Sequence, residues 1–318
     1  MSKQAPRGIA EMMMRSDAPV ALASSLERRV LDMYRTAQGA FRSYCDVTTV
    51  PDLRDVENLR LDTADTLDRL GEREEYQRGK FAEKSSRIRV VKYGKALDIT
   101  KEMRLNDDTR AVFDLASQYG RIAARTEAQV APALLEQLPV SSDTEGDLEG
   151  PLDEELIERM FNLFWDRETA EGKKIEMDPD RMVFHPIHNV ALAKVFRPTS
   201  AGDYNPLSGW LPESGLIRER YLTDKTRLYL MANPAEAPLI EVAFLRSRID
   251  PREDYSNGPR VIPDGVATIP LLPGDIGSGG EGFLYDSMTF KVTHFLGGAR
   301  VDPDELNVVV AEVTAGGT

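Results

Sequence analysis

The sequence of 318 residues is poor in the residues that build disulfides and metal centres. Cys45 is its single cysteine, so no disulfide can form within the chain and no cysteine cluster can hold a metal ion. The three histidines are His185, His188 and His294, and Pro186 prevents the regular helix that would place the first two on one face. The HExxH pattern of zinc enzymes is absent. We therefore expect structural roles for the histidines and no metal-binding residues.

The chain also lacks an excess of basic residues and any long apolar run. Lys and Arg total 40 against 53 Asp and Glu, which gives a net charge of −13. Because a protein that grips phosphates needs a basic face, sequence-specific binding of DNA or RNA is not expected. No apolar run reaches the length of about eighteen residues that spans a membrane. The N-terminal segment lacks the continuous apolar stretch of a secretory signal.

Motifs of catalysis are missing as well. The glycine-rich segment Gly277–Gly282 lacks the Gly-Lys-Ser/Thr ending of a phosphate-binding loop. Neither Ser208 nor Ser214 lies in the Gly-x-Ser-x-Gly pattern of a nucleophile elbow. We therefore predict no catalytic or cofactor-binding residues, and we expect that the chain is not an enzyme. A hydrolase on an α+β scaffold is an alternative that no motif favours.

Helical spacing first occurs between Asp17 and Tyr44. Apolar residues there recur at steps of three or four, which places them on one face of a helix. This face has two interpretations: a core contact within the chain, which periodicity alone favours, or an arm that lies on a neighbouring subunit. The predicted face consists of Leu22, Leu26, Val30, Tyr34, Ala37 and Phe41.

A strongly charged segment follows Pro51. Residues 52–84 contain 10 acidic and 7 basic residues among 33, with few large apolar groups. Such a composition does not form a core of its own. It fits either a two-stranded excursion, whose charges pair with another subunit, or a solvated loop. The segment Arg87–Thr100 is rich in β-branched and aromatic residues and is predicted to be a strand, with a bulge or close approach at Gly94.

The clearest helical pattern runs from Asn106 to Leu138. Asn106, Asp107 and Asp108 supply capping side chains at its start. Pro132 predicts a kink or an early end near Ala131. The predicted apolar face consists of Val112, Leu115, Tyr119, Ile122, Ala123, Thr126, Val130, Leu134 and Leu138.

The second half of the chain has shorter elements. Ser141–Gly150 is small and acidic and is predicted to be a linker that forms the main boundary. Leu152–Trp165 is predicted to be a helix, and the proline- and glycine-rich segment Pro251–Gly282 a loop. Strand-like runs are Arg181–Phe184, Arg227–Met231, Leu239–Leu245, Phe283–Phe295 and Asn307–Val313, so the fold class is α+β.

Several segments resemble the major capsid proteins of tailed bacteriophages, in particular the Mu-like major head subunits. Val91–Thr100 followed by Arg104–Asp108 resembles the strand that leads into that family's long helix, and Gly120–Glu127 resembles the helix itself. Glu219–Pro234 is similar to a segment of the family's axial domain. Tyr285–Asp302 is similar to its closing strand. Each match is weak alone, but the four occur in the family's order.

The resemblance implies the HK97-type capsid fold, with an arm and a loop that contact other subunits. The implied assignments are an N-terminal arm at 1–50, an extended loop (E-loop) at 51–86, a peripheral domain at 87–150 and 283–318 with a spine helix at 107–138, and an axial domain at 151–282.

The resemblance also implies a function. The chain would self-assemble as pentamers and hexamers into an icosahedral shell that encloses double-stranded DNA, contacted non-specifically. No membrane is involved. Expected partners are other copies of the chain, a separate scaffolding protein, a portal protein and decoration proteins. Assembly would take place in the host cytoplasm, and the product would be part of the virion. The alternative is an encapsulin-like compartment, which shares the fold but holds cargo enzymes.

Overall fold

The computed structural model describes a mixed α and β chain. The described residues are 18–61, 83–100, 109–168, 172, 174, 177–196, 207, 209–250, 253–263, 281–282, 287–302 and 305–314. Predictions that involve the first 17 residues, the cap at Asn106–Asp108, Ser208 or the glycines at 277–280 lie outside them. The α-helices of the described part are α1 (Ala18–Thr36), α2 (Thr109–Ala128), α3 (Val130–Leu135), α4 (Glu154–Trp165) and α5 (Asn189–Phe196).

The described strands form two larger sheets and two small hairpins. In chain order they are β1 (Asp46–Val50), β2 (Val56–Leu61), β3 (Glu83–Ile88), β4 (Val91–Thr100), β5 (Ser142–Asp143), β6 (Gly146–Asp147), β7 (Glu149–Gly150), β8 (Pro179–Phe184), β9 (Leu216–Arg218), β10 (Arg227–Ala232), β11 (Ile240–Leu245), β12 (Arg260–Pro263), β13 (Glu281–Gly282), β14 (Ser287–Arg300) and β15 (Val308–Val313).

The long strand β14 organises the six-stranded sheet. It pairs antiparallel with β4 over ten residues, and β11, β12 and β13 also pair with it, while β1 pairs in parallel with β11. The five-stranded sheet has the order β7-β15-β10-β8-β9. The separate hairpin β2–β3 pairs Val56 with Ile88 and Leu61 with Glu83.

One apolar core joins the two sheets. Tyr229 and Val310 of the five-stranded sheet share it with Phe244 and Leu296 of the six-stranded sheet, and all four are almost fully buried. Helices α4 and α5 cover the five-stranded sheet with a second cluster. A third cluster packs α1 and α2 on β12 and β14. The two sheets are thus parts of one packed body.

The apolar face of α1 is buried within the chain. Leu26, Val30 and Tyr34 are at most 1% exposed and pack against α2 and the six-stranded sheet. The expectation that this face grips another subunit is therefore wrong, and the interpretation as an internal contact holds. The helix also ends at Thr36, before the predicted limit at Tyr44. Beyond its end the chain passes close to α2 at Gly39, where an added Cβ would lie 2.6 Å from the Cβ of Ala128.

The predicted long helix is broken as Pro132 requires. Helix α2 ends at Ala128, and α3 begins at Val130 after the cap residue Gln129. Pro132 then lies in the first turn of α3, where its missing N–H costs no hydrogen bond.

The predicted linker and domain limits differ from the observed pairing. Ser141–Gly150 is ordered into β5, β6 and β7, and Leu148 within it is fully buried. The described strands also cross the predicted limits. β15, from 283–318, pairs with β10 in the five-stranded sheet, and β11 and β12, from 151–282, join the six-stranded sheet. Which strands pair depends on side-chain burial between segments that are distant in sequence. The composition of the chain therefore did not locate the boundary between the two sheets.

Three other predicted elements are present, with differences in detail. The charged segment begins and ends in the paired strands β2 and β3, as expected of a two-stranded excursion. The predicted strand Arg87–Thr100 is divided between β3 and β4, and Gly94 pairs in regular register with Thr293, without a bulge. Helix α4 begins at Glu154, two residues after the predicted start at Leu152, because the Asp153 carboxylate accepts the Leu156 N–H at 3.0 Å and caps the helix there.

Candidate functional site

His185 and His188 form hydrogen bonds with backbone groups of nearby loops. The Ile187 N–H donates to Nδ1 of His185 at 3.2 Å, and burial followed by the charge of Lys225 lowers the pKa of His185. His188 Nε2 lies 2.6 Å from the carbonyl oxygen of Lys225. These contacts fit the predicted structural roles. In the described part of the chain, no cluster of three His, Cys, Asp or Glu side chains suits a metal ion.

The third histidine belongs to a buried polar centre around Glu127. Glu127 extends from α2 and is 1% exposed. The Tyr34 hydroxyl of α1 donates to its Oε2, and Arg42 Nη2 donates to its Oε1 at 2.6 Å. His294 of β14 places Nε2 3.6 Å from Oε2. One carboxylate thus joins the N-terminal helix, the following turn, α2 and the long strand.

The electrostatics of this centre favour a fixed ion pair. Burial is the largest single influence on Arg42 and favours its neutral form, but the charges of Glu127 and Tyr34 and the hydrogen bonds to them together outweigh it and raise the pKa of Arg42. Burial, followed by Glu127, raises the pKa of Tyr34, so its hydroxyl stays protonated and donates. Because both donors hold Glu127 in place and join α1, the following turn and α2 through one carboxylate, the arrangement is suited to joining elements.

Small side chains allow α1 and α2 to approach each other. A Cβ at Gly120 would lie 2.3 Å from the Val30 carbonyl oxygen and 3.0 Å from the Met33 Cβ. Ala116 and Ala124, on the same side of α2, are at most 1% exposed. The predicted apolar face of α2 did not include Ala116, Gly120 or Ala124, although these small residues recur at steps of four and could have indicated the close approach.

A second buried carboxylate lies beside the five-stranded sheet. Glu219 follows β9 and is 1% exposed. The Tyr44 hydroxyl donates to its Oε2 at 3.1 Å, and the Tyr221 N–H donates to its Oε1 at 3.1 Å. Burial raises the pKa of Glu219. This residue was not predicted either, although it begins a segment on which the capsid resemblance rested.

The hairpin β2–β3 differs sharply from these centres. Its described ion pairs are long and exposed: Arg87 Nε lies 3.9 Å from Glu57 Oε1, and Arg89 Nε lies 3.8 Å from Asp55 Oδ1. Exposed pairs of this kind contribute about 0–1 kcal/mol. The charges of the hairpin are therefore exposed and contribute little to the stability of their own chain.

An exposed apolar pair lies at one end of the five-stranded sheet. Ile187 and Val190 are each 65% exposed; Ile187 lies on the turn that follows β8, and Val190 lies in the first turn of α5. The turn follows β8 directly, and its contact with Lys225 ties it to the loop before β10. This end of the sheet thus exposes apolar side chains next to a turn whose conformation is fixed by hydrogen bonds.

Comparison with known proteins identifies the family. A family model described as phage capsid protein matches residues 83–310, which is more than half of the chain. Among curated protein sequences, none matches the chain. In the described part of the chain, no helix combines the length and apolar character needed to cross a membrane.

Solved structures agree with this match in fold. A virus-like particle from Pyrococcus furiosus is similar with a TM-score of 0.52 at 15% identity, over 91% of this chain and 98% of that one. Mycobacterium phage Adephagia gives 0.50 at 11% identity, over 89% and 92%. The procapsid of satellite phage P4 with its size determination protein gives 0.50 at 9% identity, over 95% and 99%.

These likenesses confirm the predicted α+β fold of the HK97-type capsid proteins, whereas the Mu-like branch stays a prediction. The chain belongs to the phage capsid protein family, as a major capsid protein.

Proposed function

We propose that the chain assembles as pentamers and hexamers into an icosahedral shell that encloses phage double-stranded DNA. The observation that carries this proposal is the capsid family match over 83–310, which includes most strands of both larger sheets.

The two sheets provide the proposed domains. The six-stranded sheet with α1 and α2 would form the peripheral domain, with α2 as the spine helix. The five-stranded sheet with α4 and α5 would form the axial domain, which meets its copies around five- and six-fold positions. The shared core around Tyr229 and Phe244 supports a single rigid unit, because close-packed interiors resist continuous deformation.

The hairpin β2–β3 would act as the extended loop that overlaps a neighbour. Its exposed Asp55, Glu57, Arg87 and Arg89 are available to pair with another subunit. Each such pair contributes about 0–1 kcal/mol, so a single contact can open and re-form during assembly. Repetition over a closed lattice would make the finished shell stable.

The proposed partners follow from the same role. A separate scaffolding protein would guide assembly, a portal protein would occupy one vertex, and decoration proteins would bind the finished shell. Packaged DNA would be contacted non-specifically, and the net charge of −13 supports a wall that does not hold the duplex tightly. Assembly would occur in the host cytoplasm, with the shell as part of the virion.

The second candidate is an encapsulin-like compartment. It is favoured by the similarity to the virus-like particle from Pyrococcus furiosus, which shares the fold. The capsid family match favours the DNA-containing shell. The gene neighbourhood distinguishes the two, because terminase and portal genes would accompany a capsid protein and a cargo enzyme gene would accompany a compartment protein.

Electron microscopy of the purified chain, alone and with a candidate scaffolding protein, tests the proposed function. Closed shells of uniform size, or rings with five- and six-fold symmetry, are the expected result. A monodisperse monomer or dimer under both conditions would contradict it.

A further inference from the structure

The solvent-facing sides of α1 and α2 are rich in arginine. Both helices pack their apolar sides on β12 and β14, and their opposite sides carry exposed residues. The exposed arginines among the described side chains of the two helices form a set that we call the arginine surface: Arg28, Arg29 and Arg35 of α1, and Arg121 and Arg125 of α2.

Two contacts between the helices show that these arginines lie on one continuous surface. Nη2 of Arg121 lies 3.9 Å from Sδ of Met33, so this arginine of α2 extends across to α1. Nε of Arg29 donates to the Ser117 hydroxyl at 2.9 Å, so this arginine of α1 extends across to α2. The helices can lie this close together because Gly120 has no side chain. The arginine surface therefore includes both helices.

The spacing of the arginines suits contact with a row of phosphates. At 1.5 Å per residue, Arg28 and Arg35 lie about 10 Å apart along α1, and Arg121 and Arg125 lie about 6 Å apart along α2. Duplex DNA carries one negative charge per 1.7 Å of its axis, so about six charges lie along 10 Å. A guanidinium group donates two parallel hydrogen bonds to phosphate oxygens. Several arginines of one subunit can therefore contact the same duplex.

The acidic residues of these helices leave much of the positive charge uncompensated. Glu127 is buried, and Glu27 forms an ion pair with Arg260 of β12. Among the described side chains of the two helices, the exposed acidic residues are Asp32 and Asp114. Five exposed arginines thus accompany two exposed carboxylates, in a chain whose net charge is −13. This part of the subunit has the opposite charge to the chain as a whole.

We propose that the arginine surface contacts the phosphates of the double-stranded DNA inside the shell. The inference rests on the proposed shell function, which supplies the DNA, and it identifies the part of the subunit that meets the duplex. The contact is non-specific, because phosphate contacts carry no direct sequence information. It is also weak in each subunit, because the acidic remainder of the chain repels the duplex. Repetition over the shell would then hold DNA along the wall while each single contact releases readily.

Fluorescence anisotropy of a short labelled DNA duplex, titrated at low salt with the full-length unassembled chain, tests the proposal. We expect saturable binding that weakens as salt is added. Replacing two arginines, as Arg121→Gln with Arg125→Gln, should weaken binding at least about tenfold and reduce the slope of log affinity against log salt by about two, because two phosphate contacts are lost.

The matched control is Arg218→Gln with Arg220→Gln. It removes the same two charges from exposed positions at β9, in the five-stranded sheet, and should change both quantities much less. A thermal melt verifies that each variant is folded. Equal losses in the two double variants, or no saturable binding by the natural chain at low salt, would overturn the proposal.

Closed shells formed without DNA test where the arginine surface lies. Duplex added outside such shells should bind equally to natural shells and to shells of Arg121→Gln with Arg125→Gln, because the surface faces inward. External binding that this variant removes would place the surface outside and overturn the proposal. Absence of shells would overturn the proposed function alone, since the titration of subunits would still decide whether this surface binds duplex DNA.

Discussion

The contact between α1 and α2 and the hairpin β2–β3 use charge in opposite ways. In the first, Glu127 is 1% exposed and accepts hydrogen bonds from Tyr34 and Arg42. In the second, Glu57 and Arg87 face each other at 3.9 Å with side chains 52% and 74% exposed. The first contact is fixed by burial, whereas the second is screened by water and salt.

This difference distinguishes surfaces that are buried within the folded subunit from exposed surfaces that we expect to contact other subunits. The apolar face of α1 is buried inside the subunit, so α1 is part of the folded body. The hairpin contributes little to that body. Its charges are therefore the ones we expect to act between subunits, together with the exposed Ile187 and Val190.

The largest effect on folding is expected at Glu127. Glu127→Gln leaves the partly buried Arg42 without its counter-charge, and loss of one partner of a buried pair costs about 3 kcal/mol. Urea unfolding of the subunit measures the change in free energy. If Glu127→Gln lowered the free energy of unfolding by less than the exposed substitution Glu57→Gln does, the result would show that the centre does not hold α1 in place.

A smaller loss is expected from Gly120→Val. The added side chain meets the Val30 backbone, and overpacking of this kind costs about 2 kcal/mol. Gln118→Val on the exposed side of α2 is the matched control and tests helix propensity alone. Equal free energies of unfolding for the two variants would mean that the helices do not depend on this close approach.

Glu219 is expected to give a pH-dependent effect on the order of 1 kcal/mol. Burial raises its pKa in the folded state, so the folded chain keeps the proton to higher pH than the unfolded chain. Its contribution to stability is fully present below the unfolded value, near pH 4.3, and is lost as pH rises through the folded value. Glu219→Gln should therefore gain stability relative to the natural chain as the pH rises above the unfolded value of about 4.3.

The contrary slope, with Glu219→Gln losing stability as pH rises, would show that the hydrogen bonds from Tyr44 and Tyr221 outweigh burial. Chemical unfolding at several pH values measures it.

The smallest effect on folding is expected in the hairpin. Glu57→Gln removes one exposed charge pair, and its free energy of unfolding should change by less than about 0.5 kcal/mol. The same urea experiment compares it directly with Glu127→Gln. Similar losses for the two variants would remove the distinction between the buried and exposed regions.

Local patterns in the sequence predicted most elements. The helical pattern of Leu152–Trp165 predicted α4, although its cap at Asp153 was not predicted, and the break after α2 follows from Pro132. The strands β8, β10 and β11 follow from short β-branched and aromatic runs. These features depend on neighbours within a few turns or residues.

Long-range choices were not predictable in the same way. Tyr34, Glu127 and His294 come together from three distant segments, and no local signal links them. Hydrophobic periodicity did find Val112 and Ala123 of α2, which pack with α1, but it did not find Gly120, because a residue without a side chain gives no hydrophobic signal. Sheet membership likewise depends on distant partners, as in the parallel pairing of Asp46 with Glu241. The predicted domain limits failed for this reason.

The central claim is that the hairpin charges act between subunits, and exchange of one pair tests it most directly. Glu57→Arg combined with Arg87→Glu keeps the pair within the hairpin and reverses the charges offered to a neighbour. The account predicts an unchanged free energy of unfolding and a strong loss of closed shells in electron micrographs, under conditions where the natural chain forms them. Shells at the natural yield would contradict it.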